Sequence, residues 1–268
     1  MTDRIHLVIG TPCFGGQVTS HYAQSMLKLQ QQCIAHSIEL GWLMFGGDAL
    51  ITRARAEVVA HFLAAPDVTH LLFIDADIGF EPEQAFRLLD FDADVTAAAY
   101  PAKMIDWELA RNAIRNGHPN PEAASLRYVF DVADPARIVT RAGFIQAQYA
   151  GTGFLMIRRR ALLELCAAHP ELKYRKVDFG ADPLSDGSYR FALFDCMIDP
   201  ESGRYLSEDF AFCRRWSRLG GEIWIDTKSK LTHCGPVAFA GDFSTQIAAG
   251  TGKPAKSEAA RPVADAVG

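Results

Sequence analysis

With 268 residues, a hydrophobic share of 49% and a charged share of 22%, the chain is long enough to bury a full core as one large domain or two small ones. Net charge is −5 and no Lys/Arg cluster extends beyond "IRRRAL" at Arg158 to Arg160, which excludes the electrostatic footprint of a nucleic-acid binder. No apolar run reaches the length of a membrane span, and the apolar stretch in "MTDRIHLVIG" is too short for a secretory signal; the six scattered cysteines, with no C-x-x-C pair, read as free thiols of a cytoplasmic protein.

In chain order, "IHLVIGTP" (Ile5 to Pro12) is an apolar run closed by Gly and Pro, the pattern of a buried strand. The next segment has Tyr22, Met26, Leu29 and Cys33 at helical spacing, with Ser20 as candidate N-cap and Gly41 as stop. "WLMFGG" is a second, short strand, and "ALITRARAEVVAHFLA" a second helix. "VTHLLFIDAD" is a third strand, "EPEQAFRLLD" a short acid-started helix and "ADVTAAAYP" a fourth strand. This alternation predicts a parallel sheet covered by helices on both faces, in which ligands collect at the carboxyl ends of the strands.

After Pro101 the regularity fades. Residues 102–130 hold a short helix and a Gly/Pro/Asn-rich loop, read as an excursion at the sheet rim. "FIQAQYAGTGFLMIRR" gives two short strands broken at Gly151 to Gly153. Two more helices, "ALLELCAAH" and "LSEDFAFCRRWSRLGG", flank a long loop and lead to the strand "EIWID". From about Thr245 large apolar residues nearly vanish, as in a disordered tail. The organisation expected is residues 1–101 as a nucleotide-binding half, 102–244 as an acceptor-binding and catalytic half of the same domain, and 245–268 as tail.

Asp75-Ala76-Asp77 stands at the end of the third strand, where alternate residues of an extended segment put both carboxylates on one side. A hard divalent cation offsets their repulsion, and Mg2+ or Mn2+ keeps substrate phosphates among its ligands; a plain structural turn is the other reading. Glu208-Asp209 follows Ser207 at a helix start, where acids suit the dipole whether or not one serves as a general base. Gly151 and Gly153 flank Thr152 before a buried strand, which permits either close backbone approach to a ligand or a tight turn. His233 follows the strand "EIWID" in "THCG" and is either a satisfied surface or packing residue or the nitrogen donor that two carboxylates lack. Arg53 and Arg55 lie two residues apart, so they share no helical face, but at a helix start both would reach a diphosphate or base. The alternative is a solvated face. Lys103, just past the fourth strand, is similarly placed at the ligand edge.

Taken in order, "DAD" at Asp75 to Asp77, "AGTG" at Ala150 to Gly153, "SED" at Ser207 to Asp209 and "THCG" at Thr232 to Gly235 resemble the GT-A glycosyltransferases over about Ile5 to Phe243, in particular small bacterial and viral family-2-like members and relatives of yeast mannosyltransferase subunits. The resemblance implies a single-domain α/β fold of GT-A (Rossmann-like) type, with a mixed, mainly parallel sheet flanked by helices. It implies metal-dependent transfer from a nucleotide-sugar donor to a glycan or lipid-linked acceptor, with peripheral membrane contact and a place in cell-surface glycan synthesis. Asp77 would then bind Mn2+ or Mg2+ directly, and Asp75 would touch ribose or metal. His233 would complete the metal or phosphate site, with Ala76, Gly151, Thr152 and Gly153 lining the donor. Thr11 and Pro12 would border the nucleobase. Asp209 would be the catalytic base of an inverting enzyme, with Glu208 beside it in the acceptor site; a retaining enzyme and a catalytically silent nucleotide-sugar binder are the alternatives. A sugar nucleotidyltransferase would carry a basic Gly-rich loop after strand one, which "GTPCFGGQVTS" lacks, and a haloacid-dehalogenase-type phosphatase would carry its acids after the first strand instead of the third.

Overall fold

In the computed structural model, described over residues 5–175, 184 and 189–248, the strand His6–Cys13 is buried along nearly its whole length. It pairs in parallel on one side with Glu39–Gly46 and on the other with His70–Ile74. Side chains alternate across a strand, and the two faces feed two cores. Val8, Leu71 and Phe73 point to one, packed by Val58, Phe62, Leu162, Phe212 and Trp216. Leu7, Ile9, Leu72 and Ile74 point to the other, packed by Tyr22, Met26, Leu29 and Leu88. Each large apolar side chain so buried contributes on the order of 2 kcal/mol.

The helices supplying these residues are α1 (Ser20–Ala35), α2 (Ile51–Ala64), α3 (Pro82–Asp90), α4 (Trp107–Arg115), α5 (Pro121–Ala124), α6 (Arg159–Ala168), α7 (Glu208–Arg218) and α8 (Phe243–Ala248). Helices α2, α6 and α7 cover the first face, α1 and α3 the second. The sheet has eight strands in the order Glu39–Gly46, His6–Cys13, His70–Ile74, Phe154–Arg158, Val95–Ala98, Ile223–Asp226, Phe144–Ala147, Thr140–Arg141. Six run one way, and Phe154–Arg158 and Phe144–Ala147 run against them. The α/β class and the helices on both faces are as the alternation predicts, and the mixed, mainly parallel sheet is as the resemblance implies. What the alternation misses is Phe154–Arg158 wedged antiparallel between the third and fourth strands.

Several local expectations change. Thr19, not Ser20, caps α1, its hydroxyl accepting from Tyr22 N at 3.3 Å. Helix α1 ends at Ala35, where Ser37 takes φ +56°, so Gly41 is no stop; it lies inside the second strand, which spans eight residues. The rim excursion is a strand Pro101–Ile105, then α4 and α5, then Leu126–Tyr128 returning antiparallel on it. Asp106 starts α4 by accepting from Glu108 N and Leu109 N. The segment read as tail from Thr245 begins inside α8, whose Phe243 is 1% exposed; 249–268 lie outside the described residues. No helix among the described residues is long and apolar enough to cross a membrane.

Candidate active site

The acids at the end of the third strand sit in a turn tied by backbone. Asp75 N donates to Gly153 O at 3.1 Å, Ile78 N to Asp75 O at 3.0 Å, and Thr19 N to Ala76 O at 2.9 Å. The chain then forms the short strand Ile78–Gly79, which pairs antiparallel with Thr232–Cys234 and sets His233 opposite Ile78. Cys234 N also donates to Asp77 O at 2.8 Å. This ladder brings a histidine from the far end of the chain onto Asp77: His233 Nε2 stands 3.3 Å from Asp77 Oδ1. The other ring nitrogen faces Pro101 O at 2.8 Å. A carbonyl only accepts, so Nδ1 carries a proton and Nε2 is the nitrogen presented to Asp77.

Helix α2 delivers the second cation. Gly10 lets it lie close on the first strand, since a Cβ there would meet Val58 Cγ1 at 2.5 Å. One turn earlier, Arg55 is buried to 2% exposure, over the Phe73 ring, with Nη2 donating to Asp75 Oδ1 at 3.0 Å and Nε 3.8 Å from Glu208 Oε1. Arg55 Nε and Nη1 are buried without a hydrogen-bond partner. Burial alone would lower its pKa, but the charges of Asp75 and Glu208 outweigh it and hold the guanidinium charged.

These groups surround a cleft of about 540 Å³ at the carboxyl ends of the strands, lined among others by Pro12, Arg55, Asp75, Ala76, Asp77, Lys103, Glu208 and His233. Lys103 Nζ forms an ion pair with Asp77 Oδ2. Burial raises the Asp77 pKa, but the hydrogen bonds and charges of His233 and Lys103 win and hold the carboxyl below its usual value. Glu208 is pushed the other way, by burial first and by Asp209 second, against the pull of Arg55.

Other expected residues fall elsewhere. Thr11 is fully buried, its hydroxyl bonded to Tyr22 OH, so of the pair at the end of strand one only Pro12 borders the cleft. Arg53 pairs with Asp48 at 2.6 Å on the exposed side of α2, and Asp48, not Arg53, is among the residues that line the cleft. The Gly151–Gly153 segment is filled by packing: a Cβ at Gly151 would meet Tyr100 OH at 2.2 Å and one at Gly153 would meet Tyr100 Cζ at 2.7 Å, and Thr152 is 1% exposed. These glycines make room for a tyrosine, not for a ligand. Asp209 does not line the cleft; its Oδ1 accepts from Ser207 Oγ and from Phe210 N at 2.8 Å. Burial pushes its pKa up, with the Ser207 and Phe210 hydrogen bonds opposing. Asp75 lines the same cleft as Asp77 but pairs with Arg55, while His233 and Lys103 meet Asp77.

Two residues of the site carried no mark in the sequence reading. Asp48 lies two positions past the second strand, so the strand-end rule that singled out Asp75 applies to it equally. Tyr100 is the hub behind the site: its OH accepts from Gly153 N at 3.3 Å, its ring meets His233 edge-on, and burial with Asp75 and Asp209 nearby drives its pKa well above 10. No local pattern marks it.

Among the described residues no group of three His, Cys, Asp or Glu side chains is gathered to hold a metal ion. The donor set fits a divalent ion in a reduced form: one carboxylate and one imidazole, the latter oriented by Pro101 O, with substrate oxygens left to fill the remaining positions.

No family model matches the chain, and no curated protein matches it. Solved structures of related shape include A197 from STIV, at 15% identity over 86% of this chain and 86% of that one, TM-score 0.47. Another is a glycosyltransferase involved in the glycosylation of the major capsid of PBCV-1, at 12% identity over 62% of this chain and 66% of that one, TM-score 0.32. At these values neither likeness carries an argument about activity, which rests on the site itself.

Proposed function

We propose that the chain is a glycosyltransferase that moves a sugar from a nucleoside-diphosphate sugar to an acceptor hydroxyl of a glycan or lipid-linked glycan, with Mn2+ or Mg2+ as cofactor. The observation that supports it most is the single cleft onto which the strand ends bring Asp77 with His233, Asp75 with Arg55, and Glu208. Acids alone would repel a diphosphate; here Lys103 stands on Asp77, Arg55 is shared by Asp75 and Glu208, and Arg55 keeps two donors unused.

Asp77 and His233 would hold the metal, which when bound supplies Lewis-acid stabilisation of the leaving diphosphate. Arg55, fixed by burial, adds a permanent positive charge at the cleft floor and costs no reorganisation during reaction. Of the acidic pair, Glu208 faces the cleft, so it takes the role first expected of Asp209. As the acceptor oxygen bonds to the anomeric carbon, the bond to phosphate breaks with its electron pair on the diphosphate, and the hydroxyl proton passes to the Glu208 carboxylate. Such a single displacement inverts the anomeric configuration. Asp209, tied to Ser207 and Phe210 at the start of α7, would position the helix end that carries Glu208.

The test is a panel of nucleotide sugars screened by thermal shift with and without Mn2+. One donor is expected to raise the melting temperature only with metal, by mass action. Glu208→Gln should keep that shift and lose donor turnover at least 100-fold, the usual scale for a general base. A panel in which no nucleotide sugar shifts the protein contradicts the proposal. Binding without turnover by the wild type would leave a silent binder instead.

A further inference from the structure

The Asp77 carboxylate is divided between two groups that arrive on neighbouring backbone. Oδ1 faces His233 Nε2 at 3.3 Å, and Oδ2 holds the ammonium of Lys103. Lys103 belongs to the strand Pro101–Ile105, and the first residue of that strand supplies the carbonyl that orients His233. One strand therefore both aims the imidazole and supplies a cation beside it. Gly235, two residues past His233, keeps the lysine's path clear: a Cβ there would lie 3.1 Å from Lys103 Cδ and 3.5 Å from Cγ.

The two basic side chains of the cleft differ in freedom. Arg55 is locked, its side chain 3% exposed. The Lys103 side chain is 36% exposed on a flexible four-carbon stem, so it can leave Asp77 without breaking the core. Its ammonium also neutralises the carboxylate that a divalent ion would need, so the two cations compete for the same negative charge.

We propose that Lys103 is a tethered cation that occupies Asp77 until a nucleoside diphosphate draws it onto phosphate, so that a divalent ion binds Asp77 and His233 tightly only together with nucleotide. The proposal deepens the glycosyltransferase reading and rests on it. Phosphate gives Lys103 a new partner as the metal takes its old one, so ion and nucleotide assist each other. By linkage the assistance is equal in both directions. In an empty cleft Lys103 protects Asp77 from adventitious ions.

The test is Mn2+ binding, read from the free-ion electron paramagnetic resonance signal, alone and with UDP or GDP. It is run on wild type, Lys103→Met and Lys103→Arg, each checked for a wild-type melting temperature. A partly exposed ion pair sets the scale. Lys103→Met should bind Mn2+ alone about fivefold more tightly than wild type, and the gain in Mn2+ affinity caused by nucleotide should shrink by about the same factor. Lys103→Arg keeps a cation and should stay within about twofold of wild type. If nucleotide binds but Lys103→Met matches wild type in both quantities, the tethered-cation proposal alone is overturned. If neither nucleotide binds any variant, the sugar-nucleotide reading falls and the proposal with it.

Discussion

Arg55 is the residue on which the electrostatics of the site turn. It is buried between Asp75 and Glu208, two acids from separate elements, and removing it leaves both without their counter-charge, Glu208 with the charges of Asp209 and Asp75 beside it. Arg55→Met is expected to destabilise the fold by about 3 kcal/mol at pH 7, the scale of a broken buried pair, measured by urea unfolding. The deficit shrinks as pH falls and Glu208, whose pKa burial and Asp209 already raise, takes up its proton and loses its uncompensated charge. A pH-independent loss would mean that Arg55 matters for packing alone. Glu208 gives a second residue-scale prediction. Burial and Asp209 raise its pKa, and a proton acceptor works only when ionised. Transfer should therefore rise with pH through an acid limb lying above the usual glutamate range. In Asp209→Asn, where one raising charge is gone, that limb should move down. Titration of the limb at an ordinary glutamate value would remove Glu208 from the role.

At the scale of elements, the strands and helices through Ala98 were legible because their signals are local: apolar runs closed by Gly and Pro, and 3.6-residue spacing. The acids at Asp75 and Asp77 were legible for the same reason, standing just past such a run. The Gly151–Gly153 segment was not. Its glycines were visible, but the tyrosine that fills their space lies some fifty positions earlier, and nothing local distinguishes room for a ring from room for a ligand. A double-mutant cycle tests that reading. Gly153→Ala should cost about 2 kcal/mol, as overpacking does, and much of the cost should disappear in a Tyr100→Leu background, which removes the ring that the new methyl meets. Additive costs would place the strain elsewhere. The choice between Glu208 and Asp209 was likewise illegible, since both belong to one helical turn and only the tertiary placement of α7 decides which carboxylate faces the cleft.

At the scale of the whole molecule, the sheet order explains why residues so far apart in the chain meet. Asp75 and Asp77 follow the third strand, the helix packed on the first strand carries Arg55, and a separate three-stranded ladder that includes Ile78–Gly79 returns His233. Phe243 packs on this frame, its ring tilted against Tyr128 and edge-on to Phe130 with centroids 5.0 Å away in each case. Phe243→Ala should cost about 3–4 kcal/mol by cavity formation, measured by urea unfolding. The strand Phe154–Arg158 was legible as a strand, but its antiparallel place between the third and fourth strands was not, because an apolar run does not reveal its direction or its neighbours. The central claim is that Asp77, His233 and their cleft bind a nucleoside diphosphate together with a divalent ion. Isothermal titration of UDP and GDP into wild type and Asp77→Asn, with and without Mn2+, tests it most directly. The account predicts that one nucleotide binds the wild type at least tenfold more tightly with Mn2+, on the scale usual for coupled sites, and that Asp77→Asn abolishes this gain while the protein stays folded. Equal affinity with and without Mn2+ in the wild type, or a gain that survives in Asp77→Asn, would contradict it.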